Sequence, residues 1–294
     1  MNKRTKGILF LILSAFCFAC MSLSVRLAGD LPALQKSFFR NFVAMMAALF
    51  VLIRNHDSFK PTRGCLPGLL ARSTFGTLGL LANFYAVDRL VLADASILNK
   101  MSPFAAALFS VIILKERLSL KQFATILTAF IGALFVIRPT FGSMVSLPAF
   151  VGFAGGVCAG IAYTFVRYLT KKGENKPFII FFFSTFSTLV IIPFMLMDLK
   201  PMTLRQLLIL LLAGLFATGG QFSITAAYAN APAREISLFD YTQIIFSTSL
   251  GFIFLGQVPD VLSFVGYLII IGAAIWSWFI NNHSEPQGSS HTAR

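Results

Sequence analysis

Long apolar runs recur along this chain, at roughly 7–27, 34–53, 68–88, 92–114, 120–138, 148–169, 177–197, 204–229, 233–256 and 260–280. At about 1.5 Å per residue, a helix of such length crosses about 30 Å of hydrocarbon. Runs this apolar, repeated this often, predict an all-α membrane protein with ten transmembrane helices. Composition agrees: 12% of the residues are charged, against about 25% in a soluble domain. The start MNKRTKG and the apolar run after it have the form of a signal peptide. That run is long and has no clear small-residue cleavage site, so it reads as an uncleaved first helix. The polar tail 281–294 reads as a disordered, cytoplasmic extension.

A net charge of +13 in a soluble protein would suggest nucleic acid as a partner. Here the Lys and Arg sit mostly in short loops, which removes that reading. With the N-terminus inside, inside segments hold fifteen Lys and Arg and outside segments six. This bias predicts that both termini are cytoplasmic and that the chain lies in the plasma (inner) membrane. Arg40, Arg72 and Lys100 lie within spans. The expectation for Arg40 and Arg72 is that they snorkel to the nearby interface.

The chain also repeats itself at an offset of 141 residues. Cys17 meets Cys158, Arg26 meets Arg167, Thr77 meets Thr218, Gly79 meets Gly220 and Phe123 meets Phe264. The repeat divides the chain into 7–139 and 148–280. Five spans per copy is an odd number, so the second copy is expected to be upside down relative to the first. The matched loops agree: KERLSLK is basic and GQVPD has no Lys or Arg. Two inverted five-helix repeats are a transporter-type architecture. Ala15 and Ala19 match Gly156 and Gly160, pairs of small residues spaced for close helix approach.

Candidate binding residues follow from the repeat. Asn99, Lys100 and Ser102 in the fourth span align with Asp240, Tyr241 and Gln243 in the ninth. Asn99 is about 12 Å from its helix start, and Asp240 is similarly deep from the opposite side. The inverted repeat therefore brings both patches toward the midplane. Such a patch can hold the charged and hydrogen-bonding parts of a small organic solute, with Lys100 suited to a carboxylate or phosphate. The competing account is a structural Lys100–Asp240 ion pair that ties the halves together. Asp240 is the deep carboxylate and the proton-coupling candidate. Gln221 and Tyr228 on the eighth span, with Asn83 and Tyr85 on the third, are expected to line the cavity or to bond between helices. Pro103, near Asn99, predicts a kink that exposes carbonyls.

Other chemistry has little support. The histidines are His56 in a loop and His283 and His291 in the tail, and HExxH, GxSxG and phosphate-loop motifs are absent from the sequence. The sequence implies no cofactor and no metal. Cys17, Cys20, Cys65 and Cys158 read as small packing residues. A membrane-embedded enzyme acting on a lipid or polyprenyl substrate, or a structural partner subunit, are the alternatives to a carrier.

The run ADASILNKMSPFAAALFSVIILKERLSLKQFATILTAFIGALFVIRP resembles the EamA-type drug/metabolite transporters. The run DYTQIIFSTSLGFIFLGQVPDVLSFVGYLIIIGA resembles the second half of the same family. The resemblance covers about residues 7–280. It implies ten helices in two inverted five-helix repeats, with alternating access to a central cavity. Glu116 matches a glutamate common at the end of that family's fourth helix, and Gln257 is a departure at the corresponding second-half position.

Overall fold

The protein is described from a computed structural model over residues 3–115, 119–137, 146–230 and 237–283. The helices are α1 (Lys3–Leu27), α2 (Ala33–Arg54), α3 (Leu66–Arg89), α4 (Leu92–Asn99), α5 (Ser102–Ile113) and α6 (Leu120–Ile137). After them come α7 (Ser146–Lys171), α8 (Lys176–Met197), α9 (Leu204–Asn230), a 3₁₀ turn η1 (Ser237–Tyr241), α10 (Thr242–Leu255) and α11 (Val261–His283). The described residues contain no strand. Seven stretches are long and apolar enough to cross a membrane, Leu92–Ile113 among them, and Leu120–Val136 and Phe239–Leu255 are shorter apolar helices. The chain is thus a multi-pass membrane protein. Glu116, Arg234, Glu235 and the tail beyond His283 lie outside the described residues.

Local sequence explains where the helices begin. Ser119 and Gln122 form a reciprocal capping box at the start of α6, and Thr203 and Gln206 form another at α9. Each box satisfies two backbone N–H groups that the first turn would leave open. α3, α5 and α8 start with a proline in the first turn, where its missing N–H is harmless.

Packing follows the 141-residue repeat. α1 packs along α9, and its image, α7, packs along α3. α1 also meets α10, as α7 meets α5, and α2 meets α9, as α8 meets α3. The α2–α8 and α6–α11 pairs are their own images. α4 joins two cores. Ile97 and Leu98 pack with Ala129, Ala133 and Ile270, while Leu92 and Ala95 pack with Val25, Val87 and Ala217. Phe50, Ile112, Leu189, Phe194 and Leu268 are exposed, as a bilayer-facing surface requires.

Lys36, counted above among outer charges, is buried in α2 and ion-paired with Asp88 at 2.6 Å. It therefore reports packing of α2 on α3 rather than loop charge.

Candidate functional site

The fourth span is broken. α4 ends at Asn99 and α5 begins at Ser102, with Pro103 in its first turn. Proline has no N–H and crowds the carbonyl four residues back, so the regular ladder cannot pass this point. The carbonyl of Lys100, within the break, accepts a hydrogen bond from the Tyr241 hydroxyl at 3.2 Å. At the matching place of the ninth span the 3₁₀ turn η1 hands over to α10 after Tyr241. The two irregular segments face each other across the repeat interface. Irregular backbone at membrane depth is tolerated where it is buried in protein or lines a cavity.

Where the α4–α5 break meets η1, Lys100 Nζ lies 2.6 Å from Asp240 Oδ2. Asp240 Oδ1 is buried with no hydrogen-bond partner among the described residues. The carboxylate therefore keeps open acceptor capacity beside a full ion pair. Ser102 and Gln243 are buried nearby in the chain and Asn99 is half-buried. Ser96 Oγ bonds Ser247 Oγ at 2.7 Å, a second polar tie between α4 and α10. Gly156 and Gly160 let α7 lie against the break. A Cβ at Gly160 would stand 2.6 Å from the Ser102 carbonyl oxygen, and one at Gly156 would overlap the Leu98 carbonyl.

Two charged residues that looked peripheral in the sequence belong to the interior. Arg40 is 7% exposed and Arg72 5%, so neither snorkels to an interface. Arg40 is about 10 Å along α2 and Arg72 about 9 Å along α3, and both side chains turn inward to the same ring. Their guanidinium carbons lie 5.8 and 4.0 Å from the centroid of Phe183 on α8. Arg40 Nη1 donates to Asn41 Oδ1 at 2.6 Å, and Asn41 Nδ2 donates to Ser187 Oγ at 2.7 Å. Room for Arg72 comes from Gly76, where a Cβ would overlap its Nη1. The sequence carries part of the signal. Ser37, Arg40 and Asn41 share one helical face, as do Ser184, Ser187 and Thr188.

The profile of the EamA-like transporter family matches this chain twice, over residues 5–138 and 146–279. This chain belongs to the EamA-like transporter family. A pseudopaline exporter, CntI, of Pseudomonas aeruginosa is 35% identical over 92% of this chain and 94% of its own. Human solute carrier family 35 member G1 is 28% identical over 93% of this chain and 80% of its own. A riboflavin transporter of Brucella anthropi is 24% identical over 96% of this chain and all of its own, 100%. A crystal structure at 16% identity superposes with a TM-score of 0.67, covering 96% of this chain and 99% of the other, which shows a shared fold. The family and these relatives make the chain a membrane transporter and not an enzyme.

The remaining candidate residues of this EamA-like transporter are spread more widely. Asn83 is buried where α3 meets α7, since a Cβ at Gly155 would come 3.3 Å from its backbone nitrogen. Tyr85, two residues on, points to another side of the helix, and its ring lies 3.9 Å below the Arg89 guanidinium at the end of α3. It belongs to the helix end and not to the break. Gln221 is half-buried on α9, next to Gly220, whose carbonyl accepts from Ser14 of α1 at 2.9 Å. The side chain of Tyr228 lies outside the described residues. Gln257 caps α4, with its Oε1 accepting the Leu92 N–H at 2.9 Å. An uncharged amide serves that backbone role as well as a carboxylate would.

Proposed function

We propose that this chain is a secondary transporter of the plasma (inner) membrane that moves a small organic solute, an amino acid or related metabolite, by alternating access. Ten helices cross the membrane as two inverted five-helix halves, and both termini are cytoplasmic. The observation that supports this reading is the Lys100–Asp240 pair, held between the α4–α5 break and the 3₁₀ turn η1, with one carboxylate oxygen unused among the described residues. Asn99, Ser102, Tyr241 and Gln243 complete the contact surface, with Asn83 and Gln221 on flanking helices. In one state the pair ties the halves together. A solute group or a proton that competes for Asp240 loosens the tie and lets one half rock against the other. Asp240 is thereby also the proton-coupling residue. The relative named an exporter favours outward movement as the working direction.

The test is flux of radiolabelled metabolites in proteoliposomes holding this chain alone, with and without a pH gradient. Saturable flux that responds to the gradient is expected. Failure of every solute to move above protein-free liposomes, with the protein shown to be folded, would overturn the reading.

A further inference from the structure

We infer that Arg40 and Arg72 form a binding site for organic anions, and that the transported solute carries two or more carboxylates. This rests on the carrier reading above and names the solute class for the same interior. The argument begins with a contrast inside the molecule. Lys36 and Lys100 are buried cations, and each has a carboxylate at 2.6 Å. Arg40 and Arg72 are buried as deeply, and neither has a carboxylate partner among the described residues. Nε of both is buried with no hydrogen-bond partner among the described residues. What these two arginines have instead is a shared aromatic ring, Phe183. A ring face attracts a cation, yet it accepts none of the in-plane N–H bonds that a guanidinium presents as a fork.

Tyr163 on α7 lies within electrostatic range of Arg40 and Arg72 and also of Asp240. It is 39% accessible, and an anion would approach the arginines past it. A solute there meets two positive forks on one side and the Lys100–Asp240 pair on the other. Two guanidiniums beside one ring match two separate carboxylates, each taken by its own arginine. Among the described residues the two arginines carry positive charge that no carboxylate partner offsets, which disfavours cationic solutes.

The experiment uses the full chain in nanodiscs, with thermal unfolding as readout. Glutarate and citrate are expected to raise Tm, and neutral glutaramide is expected to leave it unchanged. Arg40→Gln and Arg72→Gln should each weaken the apparent glutarate affinity about tenfold or more, with ligand-free Tm equal to wild type or higher, since each removes an unpaired buried charge. Arg72→Lys should retain part of the response, because charge stays while the fork is lost. A response to glutaramide equal to that for glutarate, or an undiminished glutarate response in both Gln variants, would overturn the site. A lower ligand-free Tm in both variants with no glutarate response in wild type would assign the arginines to structure. An inorganic phosphate response as large as that of glutarate would overturn the two-carboxylate requirement. Should Arg72→Gln not fold, Gly76→Ala displaces the same guanidinium without removing it and is read in the same way. Anion binding without flux would remove the carrier reading and leave the site. Flux of neutral solutes with no anion response would do the reverse.

Discussion

An ionised side chain at the centre of a membrane helix costs about 2.5–3.5 kcal/mol on insertion scales. Lys100 and Asp240 offset that cost in each other at 2.6 Å. Removing one leaves the other unpaired and buried, which is strongly destabilising. Removing both removes the mismatch. Single and double variants therefore separate a structural tie from a working site. Lys100→Ala and Asp240→Asn are each expected to lower transport by about tenfold or more, the effect of about 1.4 kcal/mol, with surface levels less affected. The double variant is expected to stay inactive, because the solute and proton contacts are gone. Asp240→Asn should also flatten the dependence on the pH gradient. Transport by the four proteins at two gradients, normalised to surface level, decides the matter, and full recovery in the double variant would leave only the tie. Gly76 offers a gentler probe. A methyl group there meets the mobile end of Arg72 and the edge of Phe183 at 2.9 Å. Gly76→Ala is expected to fold with near-normal Tm while losing most glutarate response, and thermal unfolding with and without the anion reads both.

At the scale of the helix, the contact between α7 and the α4–α5 break has no such slack. The atoms opposite Gly156 are the backbone of Leu98 and Asn99, and those opposite Gly160 are the Ser102 carbonyl, the Ala106 nitrogen and the Ala105 Cβ. Backbone cannot rotate away as a side-chain tip can. Gly160→Leu should therefore impair folding or transport more than Ala19→Leu, although Ala19 is also fully buried. Comparable expression and flux in the two variants would remove the close-packing assignment. The break itself was legible in the sequence, because Pro103 announces lost N–H bonding and its spacing from Asn99 sets the depth. So were the patch around Lys100 and its partner at an offset of 140 residues. The arginines were harder to place. Distance from a helix end suggests snorkelling, and only the three-helix coincidence of Arg40, Arg72 and Phe183 turns them inward. That coincidence is tertiary, as is the stacking of Tyr85 on Arg89, and helical periodicity alone does not contain it. Gln257 shows the converse. It looked like a missing acid, but the need it meets is an open N–H on Leu92.

For the whole molecule, the question is how the two halves are oriented. The contacts of α1 with α9 and α10 and of α2 with α9 each have an image at the repeat offset, as a two-fold axis would produce. With the five crossings per half proposed above, an axis relating them must lie in the membrane plane, and equivalent loops must emerge on opposite sides. Loops 115–121 and 256–260 are such a pair. Leu120 is 88% exposed and Val258 65%, so a cysteine at either position is open to reagent and disturbs little packing. Position 257 is avoided because its side chain caps α4. Cys17, Cys20, Cys65 and Cys158 are free thiols, so the background must lack them, with small residues in their place. In intact cells an impermeant maleimide is expected to label Val258→Cys and to spare Leu120→Cys. Inverted vesicles should give the opposite pattern, and tags at the two termini should be digested only in those vesicles. Labelling of both cysteines from one side would mean parallel halves. The facing breaks could not then approach a common midplane from opposite directions, and alternating access by rocking of mirrored halves would lose its geometric basis.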